Sequence, residues 1–328
     1  MNSQVDEPTV RALFSEQLVA HLADQHGPDR RPLDPPAGAV AKAVVLALHE
    51  DLSPDGDLSA ALVPVAGTAE GVIVSRANGI LAGSACATEV FAQVSEVVKV
   101  FWLRADGDSL SPGDVVATVS GPLAPVLTAE RTALNFLSRL SGVATTTARW
   151  VETAAAVDRN VRIWDTRKTT PGLRVLERAA VRAGGGWNHR NNLSHWIMLK
   201  DNHLTGTDIA SAVALSRSVW PGRTVHVECE TLDQVRESLE AGADALLLDN
   251  MNPALIITCV TEVHVHGEVH GTRPLVEASG GITLDQVARF AATGVDCISA
   301  GALTNGALSI DLGLDLLTSD SSSGGGGS

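Results

Sequence analysis

TLDQVRESLEAGADALLLDN, residues 231–250, recurs without gaps as TLDQVARFAATGVDCISAGA, residues 283–302. In each copy a threonine, Thr231 or Thr283, precedes a helical pattern and is followed three residues later by glutamine, as in a capping box. A glycine then ends the helix, and an apolar strand follows. Two copies of one helix–strand unit predict an α/β barrel rather than an open sheet, because a barrel repeats one geometry.

Short apolar runs alternate with helical patterns on both sides of this repeat. The predicted strands are 161–165, 196–200, 225–229, 245–249, 274–278 and 297–300. The predicted helices between them are 172–183, 208–219, 232–241, 253–264 and 284–293. Apolar strands separated by helices indicate a parallel sheet that helices cover.

The N-terminal part follows a different pattern. Residues 39–50 have helical periodicity, and 71–128 contain short strands divided by glycine and proline turns, with an Asn78–Gly79 signal that predicts a hairpin. We therefore expect an antiparallel sheet with a packed helix. A long helix is predicted from Thr128 to about Ala156. Its first turn would contain Arg131, which the helix dipole disfavours, so this arginine is expected to serve another purpose.

The composition is that of a globular chain with a large core. Of 328 residues, 45% are hydrophobic, and the formal net charge of −14 argues against nucleic acid as a partner. No apolar run reaches the roughly 18 residues of a membrane span, and no secretory signal is recognisable, so no membrane insertion is expected. Cys86, Cys229, Cys259 and Cys297 are scattered, which favours reduced thiols in a cytoplasmic protein over disulfides or zinc.

Two terminal segments are set apart from the predicted fold. Residues 1–38 combine a helical pattern with a proline-rich stretch and are predicted to be either a docked helix or a partly disordered leader. Residues 319–328, which end in SSSGGGGS, have the composition of a flexible tail or linker.

Polar or small residues end or follow the predicted strands of the second half. They are Asp165–Lys168, Lys200–His203, Glu228, Asp249–Asn250, Ser279–Gly281 and Ala300–Ala302. In a barrel of parallel strands the carboxyl ends meet on one face, and that face carries the active site. A helix cap or a structural ion pair would explain one such residue but not the whole succession.

These residues divide by charge. Five cations suit carboxylate or phosphate ligands; they are Arg167, Lys168, His189, Arg190 and Lys200. Glu228 and Asp249 suggest either a Mg²⁺ carried by a phosphorylated ligand or contacts to ribose hydroxyls. The small-residue turns at 279–281 and 300–302 are suited to presenting backbone N–H groups to a phosphate.

Two further features are interpreted as structural. His264, His266 and His270 resemble a metal-binding tract, but they are expected on a solvated connection between a helix and a strand. Trp164 and Trp196 adjoin the charged strand ends and are expected to pack in the core rather than stack on a ligand.

The order and spacing of seven motifs resemble those of quinolinate phosphoribosyltransferase, also called carboxylating nicotinate-nucleotide pyrophosphorylase. The motifs are TAERTALNFLSRLSGVAT, DTRKTTPGLR, VRAGGGWNHR, LKDNHL, LLLDN, EASGGI and AGALT. The resemblance runs from about Val40 to Leu317. It implies an N-terminal open-faced α/β sandwich over 39–134, joined by 305–318. It also implies an incomplete α/β barrel of about seven strands over 135–304.

The resemblance implies phosphoribosyl transfer from phosphoribosyl pyrophosphate (PRPP) to quinolinate with decarboxylation. The products would be nicotinate mononucleotide, pyrophosphate and CO₂, in de novo NAD biosynthesis. Quinolinate binding would fall to Arg131, Thr166, Arg167, His189, Arg190 and Lys200. PRPP binding would fall to Lys168, Glu228, Asp249, Ser279, Gly280, Gly281, Ala300, Gly301 and Ala302. Catalysis would use Lys168, Glu228 and Asp249. The cofactor would be Mg²⁺, with Glu228 and Asp249 as candidate ligands, and a homodimer or larger homo-oligomer would bring Arg131 into the neighbour's site.

Three positions depart from the family pattern. His195 stands where an aspartate is usual, His226 where an acidic residue is common, and Asn305 where a histidine usually follows the threonine. His195 and Asn305 are expected near the phosphate side of the site. Two alternatives therefore stay open: a paralogue that uses a related pyridine or aromatic carboxylate, and a catalytically silent binding homologue.

Overall fold

The computed structural model describes residues 34–317, so most of the predicted leader and the whole predicted tail lie outside the described residues. The chain forms two compact units. Within the described residues the first comprises 34–145, 175–183 and 308–317, and the second comprises 146–174 and 184–307. The first unit gives way to the second after residue 145, whereas the sequence predicted a domain boundary after residue 134.

The strands and the α-helices of the described residues are numbered separately in chain order. The strands are β1 (Thr68–Ser75), β2 (Gly79–Ile80), β3 (Lys99–Trp102), β4 (Ser109–Leu110), β5 (Val115–Pro122), β6 (Arg162–Trp164), β7 (Ile197–Leu199), β8 (Val225–Cys229), β9 (Ala245–Asp249), β10 (Leu275–Ser279), β11 (Cys297–Ser299) and β12 (Leu312–Leu316). The α-helices are α1 (Ala37–Leu52), α2 (Ser84–Val94), α3 (Leu123–Ala155), α4 (Arg174–Ala183), α5 (Ile209–Val219), α6 (Leu232–Glu240), α7 (Pro253–His270), α8 (Val287–Ala291) and α9 (Ala302–Asn305).

The first unit contains the antiparallel sheet that the sequence predicts. Its strand order is β12-β1-β5-β3, and every neighbouring pair is antiparallel. Helix α2 packs beside β3 and against α1. The predicted hairpin at Asn78–Gly79 is wrong: β2 pairs with β4 instead of β1. Both edges of β1 are already occupied, by β5 and β12, so no edge is left for a hairpin partner.

Helix α3 begins five residues earlier than predicted, at Leu123 rather than Thr128. Pro125 lies in its first turn, where proline is tolerated because those amides have no intrahelical acceptor. Arg131 therefore lies in the third turn, beyond the reach of the N-terminal dipole, and the argument from an unfavourable first-turn position is wrong. Its side chain is exposed.

The second unit is built on six parallel strands in the order β6-β11-β10-β9-β8-β7. A one-residue parallel bridge joins Trp164 of β6 to Trp187, which extends the sheet at that edge. Trp187 donates its N–H to Ile163 O at 2.7 Å and accepts from the N–H of Asp165 at 3.0 Å. The predicted parallel α/β architecture is confirmed, with six strands and this bridge in place of about seven strands.

The internal repeat forms the same local structure twice. Thr231 and Gln234 make a capping box at the start of α6, and Thr283 with Gln286 makes the equivalent box. In the second copy, the chain passes through a short 3₁₀ turn before α8. Gly242 and Gly294 end the helices with φ of 75° and 85°, a conformation that favours glycine.

Equivalent aspartates follow the two helices of the repeat. Asp244 donates its N–H to Val225 O at 2.9 Å and accepts the N–H of Val225 on its carboxylate at 2.7 Å. Asp296 makes the same two bonds to Val276, with the same two distances. Each carboxylate also accepts an arginine, Arg217 in the first copy and Arg273 in the second. The repeat in sequence is therefore a repeat in hydrogen bonding.

Helix α7 is longer than predicted and corrects one assignment. It runs to His270 and ends at Gly271, which has φ 72°, so His264, His266 and His270 lie in its last turns rather than on a connection. The rings of His266 and His270 stack with centroids 4.2 Å apart. Among the described residues, none of the helices has the length and apolar composition that a membrane crossing would require.

Replacing Gly142, within α3, by alanine is expected to destabilise the fold although alanine has the higher helix propensity. An added Cβ would overlap the carbonyl oxygen of Leu308 and lie 3.0 Å from Ser309 Cα, which are backbone atoms. We expect Gly142→Ala to lower the free energy of unfolding by about 2–3 kcal/mol or more, which urea denaturation would measure. Gly38→Ala in α1 meets open space and should instead raise it by about 0.5 kcal/mol. Equal effects would contradict the close approach of residues 308–309.

Candidate active site

The polar residues of the parallel sheet share one face because side chains alternate along a strand. In β8, Val225, Val227 and Cys229 belong to the core formed with the covering helices. His226 and Glu228 must therefore point to the opposite, inner side of the sheet.

Strand register carries this alternation across the sheet. Glu228 pairs with Leu247, Leu247 pairs with Glu277, and Asp249 pairs with Ser279. Paired residues of parallel strands point the same way, so these side chains all face inward. The predicted strand-end residues of β8, β9 and β10 are thereby brought to one face.

Lys200 and Glu228 form an ion pair at the ends of neighbouring strands. Lys200 Nζ donates to Glu228 Oε2, and the side chain of Glu228 is 11% exposed against 38% for Lys200. The pair leaves Lys200 accessible on one side while its charge is partly balanced. A lysine in this setting can bind an anion without introducing an unbalanced charge into the sheet.

Asp249 lies one strand further on. Asn250 donates its side-chain amide to Asp249 Oδ2 at 2.6 Å, and Asn250 itself adopts a positive φ of 55°. Burial raises the pKa of Asp249 above its ordinary value, although Lys200 and Lys168 act in the opposite direction. Asp249 is thus a partly desolvated carboxylate within the electrostatic reach of both lysines.

Arg190 and Arg167 place two guanidinium groups close together. Arg190 is 7% exposed, and its pKa is lowered by burial and then by the positive charge of Arg167, while Glu228 and Glu277 oppose the shift. Arg167 Nε is buried and lacks a hydrogen-bond partner among the described residues. Neighbouring cations of this kind are suited to an anionic ligand with more than one carboxylate.

His189 is held from two directions. Its backbone N–H donates to Asp165 Oδ1 at 2.8 Å, and Asn188 donates to the other oxygen of that buried carboxylate at 2.6 Å. Its ring Nε2 lies 3.2 Å from Glu277 Oε2. Asp165, at the end of a predicted strand, therefore positions the 187–190 segment, while the His189 ring faces the inner carboxylate.

Glu277 is a site residue that sequence reasoning missed. It is fully buried, and burial opposes its ionisation, but the charge and hydrogen bond of His189 and a hydrogen bond from Ser299 outweigh burial and lower its pKa. The signal was available: Glu277 lies two positions before Ser279 on one strand, so both face inward. An acidic residue inside an apolar strand is itself unusual unless it has a partner.

Five rings form a cluster on the inner side of the sheet. Trp196 stacks on His226 with centroids 4.8 Å apart and an interplanar angle of 17°, and it also contacts Trp164, His189 and His195. Both tryptophans pack against histidine rings and neither belongs to the helix-facing core, and the expectation that they do not stack on a ligand stays a prediction. Burial lowers the pKa of His226 to about 4, so its imidazole is neutral near pH 7.

Two small-residue turns follow β10 and β11. Ser279 and Ser299, at the strand ends, have their hydroxyl oxygens 3.1 Å apart. Gly280 and Gly281 adopt φ of 94° and 60°, and the carbonyl of Ser279 accepts the N–H of Asn250 at 3.1 Å. The turn after β10 therefore depends on glycine for its backbone shape.

Lys168 lies over the second of these turns. A Cβ on Gly301 would come within 2.7 Å of Lys168 Cδ, so glycine leaves the space that the lysine stem occupies. Thr166 Oγ1 accepts the N–H of Lys168 at 3.0 Å, and Thr304 Oγ1 donates to its carbonyl at 2.8 Å. Lys168 is exposed, on a backbone fixed from both sides. Ala300 and Ala302 flank Gly301 in the same turn.

Of the remaining predicted residues, His195 and Asn305 belong to the second unit and Arg131 belongs to the first. Asn305 is exposed and ends α9, beside the 300–302 turn as expected. His195 precedes β7, at the amino end of that strand, and the expectation that it lies near the phosphate side stays a prediction. Its Nδ1 accepts the N–H of Asn191 at 3.2 Å.

The inner carboxylates fit a magnesium ion that is brought by a phosphorylated ligand. Glu228 and Asp249 lie on adjacent strands, and their oxygens are the donors that Mg²⁺ prefers. Within residues 34–317, neither belongs to a group of three or more side chains close enough to form a metal site by themselves. Mg²⁺ commonly takes one or two carboxylates and completes its shell with phosphate oxygens and water.

Comparison with known families matches nearly all of the described chain. The family model described as quinolinate phosphoribosyl transferase, N-terminal domain, matches residues 57–141, and the corresponding C-terminal domain model matches 143–315. The junction of the two models lies within a few residues of the change of unit at residue 145.

Individual relatives cover the same region. The probable nicotinate-nucleotide pyrophosphorylase [carboxylating] of Bacillus subtilis is 40% identical over 269 residues, 81% of this chain and 90% of the relative. The nicotinate-nucleotide pyrophosphorylase [carboxylating] of Mycobacterium leprae is 38% identical over 275 residues, 82% of this chain and 94% of the relative. The solved structure of the nicotinate-nucleotide pyrophosphorylase from Francisella tularensis matches with a TM-score of 0.80 and 32% identity, covering 88% and 99% of the two chains.

Proposed function

We propose, since this chain belongs to the quinolinate phosphoribosyl transferase family, that the inner face of its parallel sheet carries out the family reaction. The enzyme transfers the phosphoribosyl group of PRPP to quinolinate and releases pyrophosphate and CO₂, giving nicotinate mononucleotide in de novo NAD biosynthesis. The observation that carries the assignment of roles is the grouping of charge on one face: cations near β6 and β7, and carboxylates on β8 and β9.

The two carboxylates of quinolinate bind to the cationic side of the site. Arg167 and Arg190 are neighbouring guanidinium groups suited to bidentate contacts, and Lys200 adds a point charge balanced by Glu228. His189 contributes from the segment that Asp165 fixes. Thr166, which is partly buried beside these cations, completes the quinolinate side within this unit.

PRPP binds along the ends of β8 to β11. The Ser279–Gly281 and Ala300–Ala302 turns bind its phosphate through backbone N–H groups, supported by the positive φ of both glycines in the first turn. Lys168, which extends over Gly301, lies between the two substrates and balances the charge of the pyrophosphate.

The carboxylates support the chemical step. The pyridine nitrogen attacks the anomeric carbon of the ribose as the bond to pyrophosphate breaks, and positive charge develops on the sugar. Glu228 and Asp249 stabilise that charge from a partly desolvated position, where electrostatic interactions are strong. The 2-carboxylate then leaves as CO₂, because the quaternised ring nitrogen stabilises the carbanion, and a proton from water adds to C2. Glu228 and Asp249 would also hold Mg²⁺, which supplies charge neutralisation for the pyrophosphate.

A direct assay tests this function. The full chain, incubated with quinolinate, PRPP and Mg²⁺, should release CO₂ and pyrophosphate in equal amounts, with loss of turnover when EDTA removes the metal. Turnover with another pyridine or aromatic carboxylate but not with quinolinate would indicate a paralogue. Binding of quinolinate without turnover would indicate a silent homologue, and either result would overturn the proposal.

A homodimer or larger homo-oligomer completes the site with Arg131 of a neighbouring subunit. This arginine is exposed on α3, and two threonines of the same helix are fixed by hydrogen bonds from Thr128 to Asp57 and from Thr132 to Asp51. A reducing compartment, the cytoplasm, is part of the proposal and is supported by the four free and buried cysteines.

Mixing two inactive variants should restore activity if Arg131 acts across an interface. Arg131→Ala and Lys168→Ala chains, exchanged at equal amounts, would form mixed dimers with one intact site each, so about a quarter of the wild-type activity should return. Lys168→Ala mixed with the double variant Arg131→Ala/Lys168→Ala is the matched control and should stay inactive. Mixed dimers that are demonstrated by two affinity tags and show no rescue would rule out the shared site.

A further inference from the structure

We propose that His189, His226 and Glu277 form a binding site for one transition-metal dication of the Zn²⁺ class. One ligand atom from each side chain lies within 4.8 Å of the other two, and all three side chains are buried. Within residues 34–317 this is the one group of three or more His, Cys, Asp and Glu side chains with such spacing. The proposal concerns binding and does not depend on the reaction that the site catalyses.

One polar atom of this cluster lacks a hydrogen-bond partner. His226 Nδ1 is buried and the described residues supply no partner for it, whereas Glu277 is hydrogen-bonded to His189 and Ser299. Leaving a buried polar atom unsatisfied costs on the order of 1–3 kcal/mol. A cation ligated by these side chains would offset that cost. An ion pair whose polar atoms all have hydrogen-bond partners would gain nothing comparable from a cation.

The residue types select the class of metal. Two imidazoles and one carboxylate are a ligand set found in catalytic zinc sites, where a fourth position stays open. Mg²⁺ and Ca²⁺ prefer oxygen donors, so the two imidazoles disfavour them.

The geometry requires a contraction of the cluster. In a tetrahedral zinc site, ligand atoms lie roughly 3.4 Å apart, given metal–ligand distances of about 2.0–2.1 Å. His189 Nε2 and Glu277 Oε2 lie 3.2 Å apart, and the ligand atom of His226 lies within 4.8 Å of the other two ligand atoms, so His226 is the ligand that would move inward on binding. Trp196, stacked on His226, and Asp165, bonded to the His189 backbone, hold the two rings as outer-shell partners do in metal sites.

Cobalt substitution tests the site. The full chain, stripped with EDTA and titrated with Co²⁺ in excess Mg²⁺, should develop the visible ligand-field bands of tetrahedral Co²⁺ at one equivalent per chain. Elemental analysis after Zn²⁺ loading and dialysis should also find one zinc. His226→Gln and Glu277→Gln should each weaken binding at least about tenfold. The two variants remove different ligands, so one that fails to fold leaves the other as the test, with circular dichroism as the check.

The paired histidines of α7 provide the matched control. His266 and His270 are four residues apart on a helix, a spacing that can also chelate a metal at the surface. His266→Ala/His270→Ala should retain the cobalt bands and the bound zinc. Loss of binding in that variant with retention in His226→Gln and Glu277→Gln would assign the metal to the surface pair and overturn the proposal. Absence of tetrahedral Co²⁺ in the wild-type chain would overturn it as well.

Discussion

Arg190→Gln is expected to lower kcat/KM for quinolinate about a thousandfold, equivalent to about 4 kcal/mol. Arg190 is buried, and burial and the charge of Arg167 lower its pKa, while the charges of Glu228 and Glu277 oppose that shift. Glutamine keeps a hydrogen-bonding amide but offers neither the charge nor the two parallel donors that bind a carboxylate. Initial-rate kinetics with quinolinate varied at saturating PRPP would measure the effect, which should appear mainly as a raised KM.

Two companion variants separate charge from geometry. Arg190→Lys keeps the charge and loses the two parallel guanidinium donors, so its kcat/KM for quinolinate should lie between those of the wild type and Arg190→Gln. Arg236→Gln removes an exposed arginine whose ion pair with Glu262 has an N–O distance of 2.6 Å, and it should leave the kinetics unchanged. A KM for quinolinate within a few-fold of wild type in Arg190→Gln would contradict the assignment of this residue to the dicarboxylate.

Gly280→Ala is expected to reduce the free energy of unfolding by about 3 kcal/mol or more and to raise the KM for PRPP. Its φ of 94° is strained for any residue with a Cβ, and the added carbon would lie 2.7 Å from Asn250 Cγ and overlap the Asn250 amide. The turn would have to move, and with it the backbone N–H groups proposed for the phosphate. Urea denaturation and PRPP saturation curves measure the two effects.

The neighbouring glycine is the control for this prediction. Gly281 also has a positive φ, 60°, but a Cβ there would meet open space. Gly281→Ala should therefore cost only the left-handed backbone penalty of about 1–2 kcal/mol. If the two alanine variants were equally stable, the close approach of Asn250 to Gly280 would not be the constraint that we describe.

Sequence patterns predicted the elements whose signals are local. The strands 225–229 and 245–249 have the predicted bounds, because each is an apolar run bordered by turn residues. The helix of the first repeat begins where its capping box predicts. The sequence also predicted that the charged strand ends share one face, because parallel strands bring their carboxyl ends together in any barrel-like sheet.

Predictions failed where the outcome depends on distant partners or on a weak stop signal. Asn78–Gly79 has the composition of a hairpin turn, yet the flanking segments pair with strands far along the chain. Helix α7 continues through Gly267 and stops at Gly271, the glycine that adopts the left-handed conformation. A sequence does not distinguish these two glycines, because both are compatible with a helix end.

The sequence pattern also did not predict the buried residues below the strand ends. Glu277 and the stacking of Trp196 on His226 depend on register between strands that are separated along the chain. Residues at the carboxyl ends of the strands, which the sequence identifies, form only the outermost part of the site. Residues two positions deeper on the same strands require the side-chain alternation to be followed inward.

The paired bonds of Asp244 and Asp296 act as register markers for the parallel sheet. A slip of one residue between β8 and β9 would turn Asp249 toward the helices and bring Leu248 into the inner layer. The reciprocal bonds of Asp244 with Val225 are available in one alignment alone, and those of Asp296 with Val276 set the same condition for β10 and β11. Two aspartates at the amino ends of the strands thereby decide which side chains reach the substrates at the opposite ends.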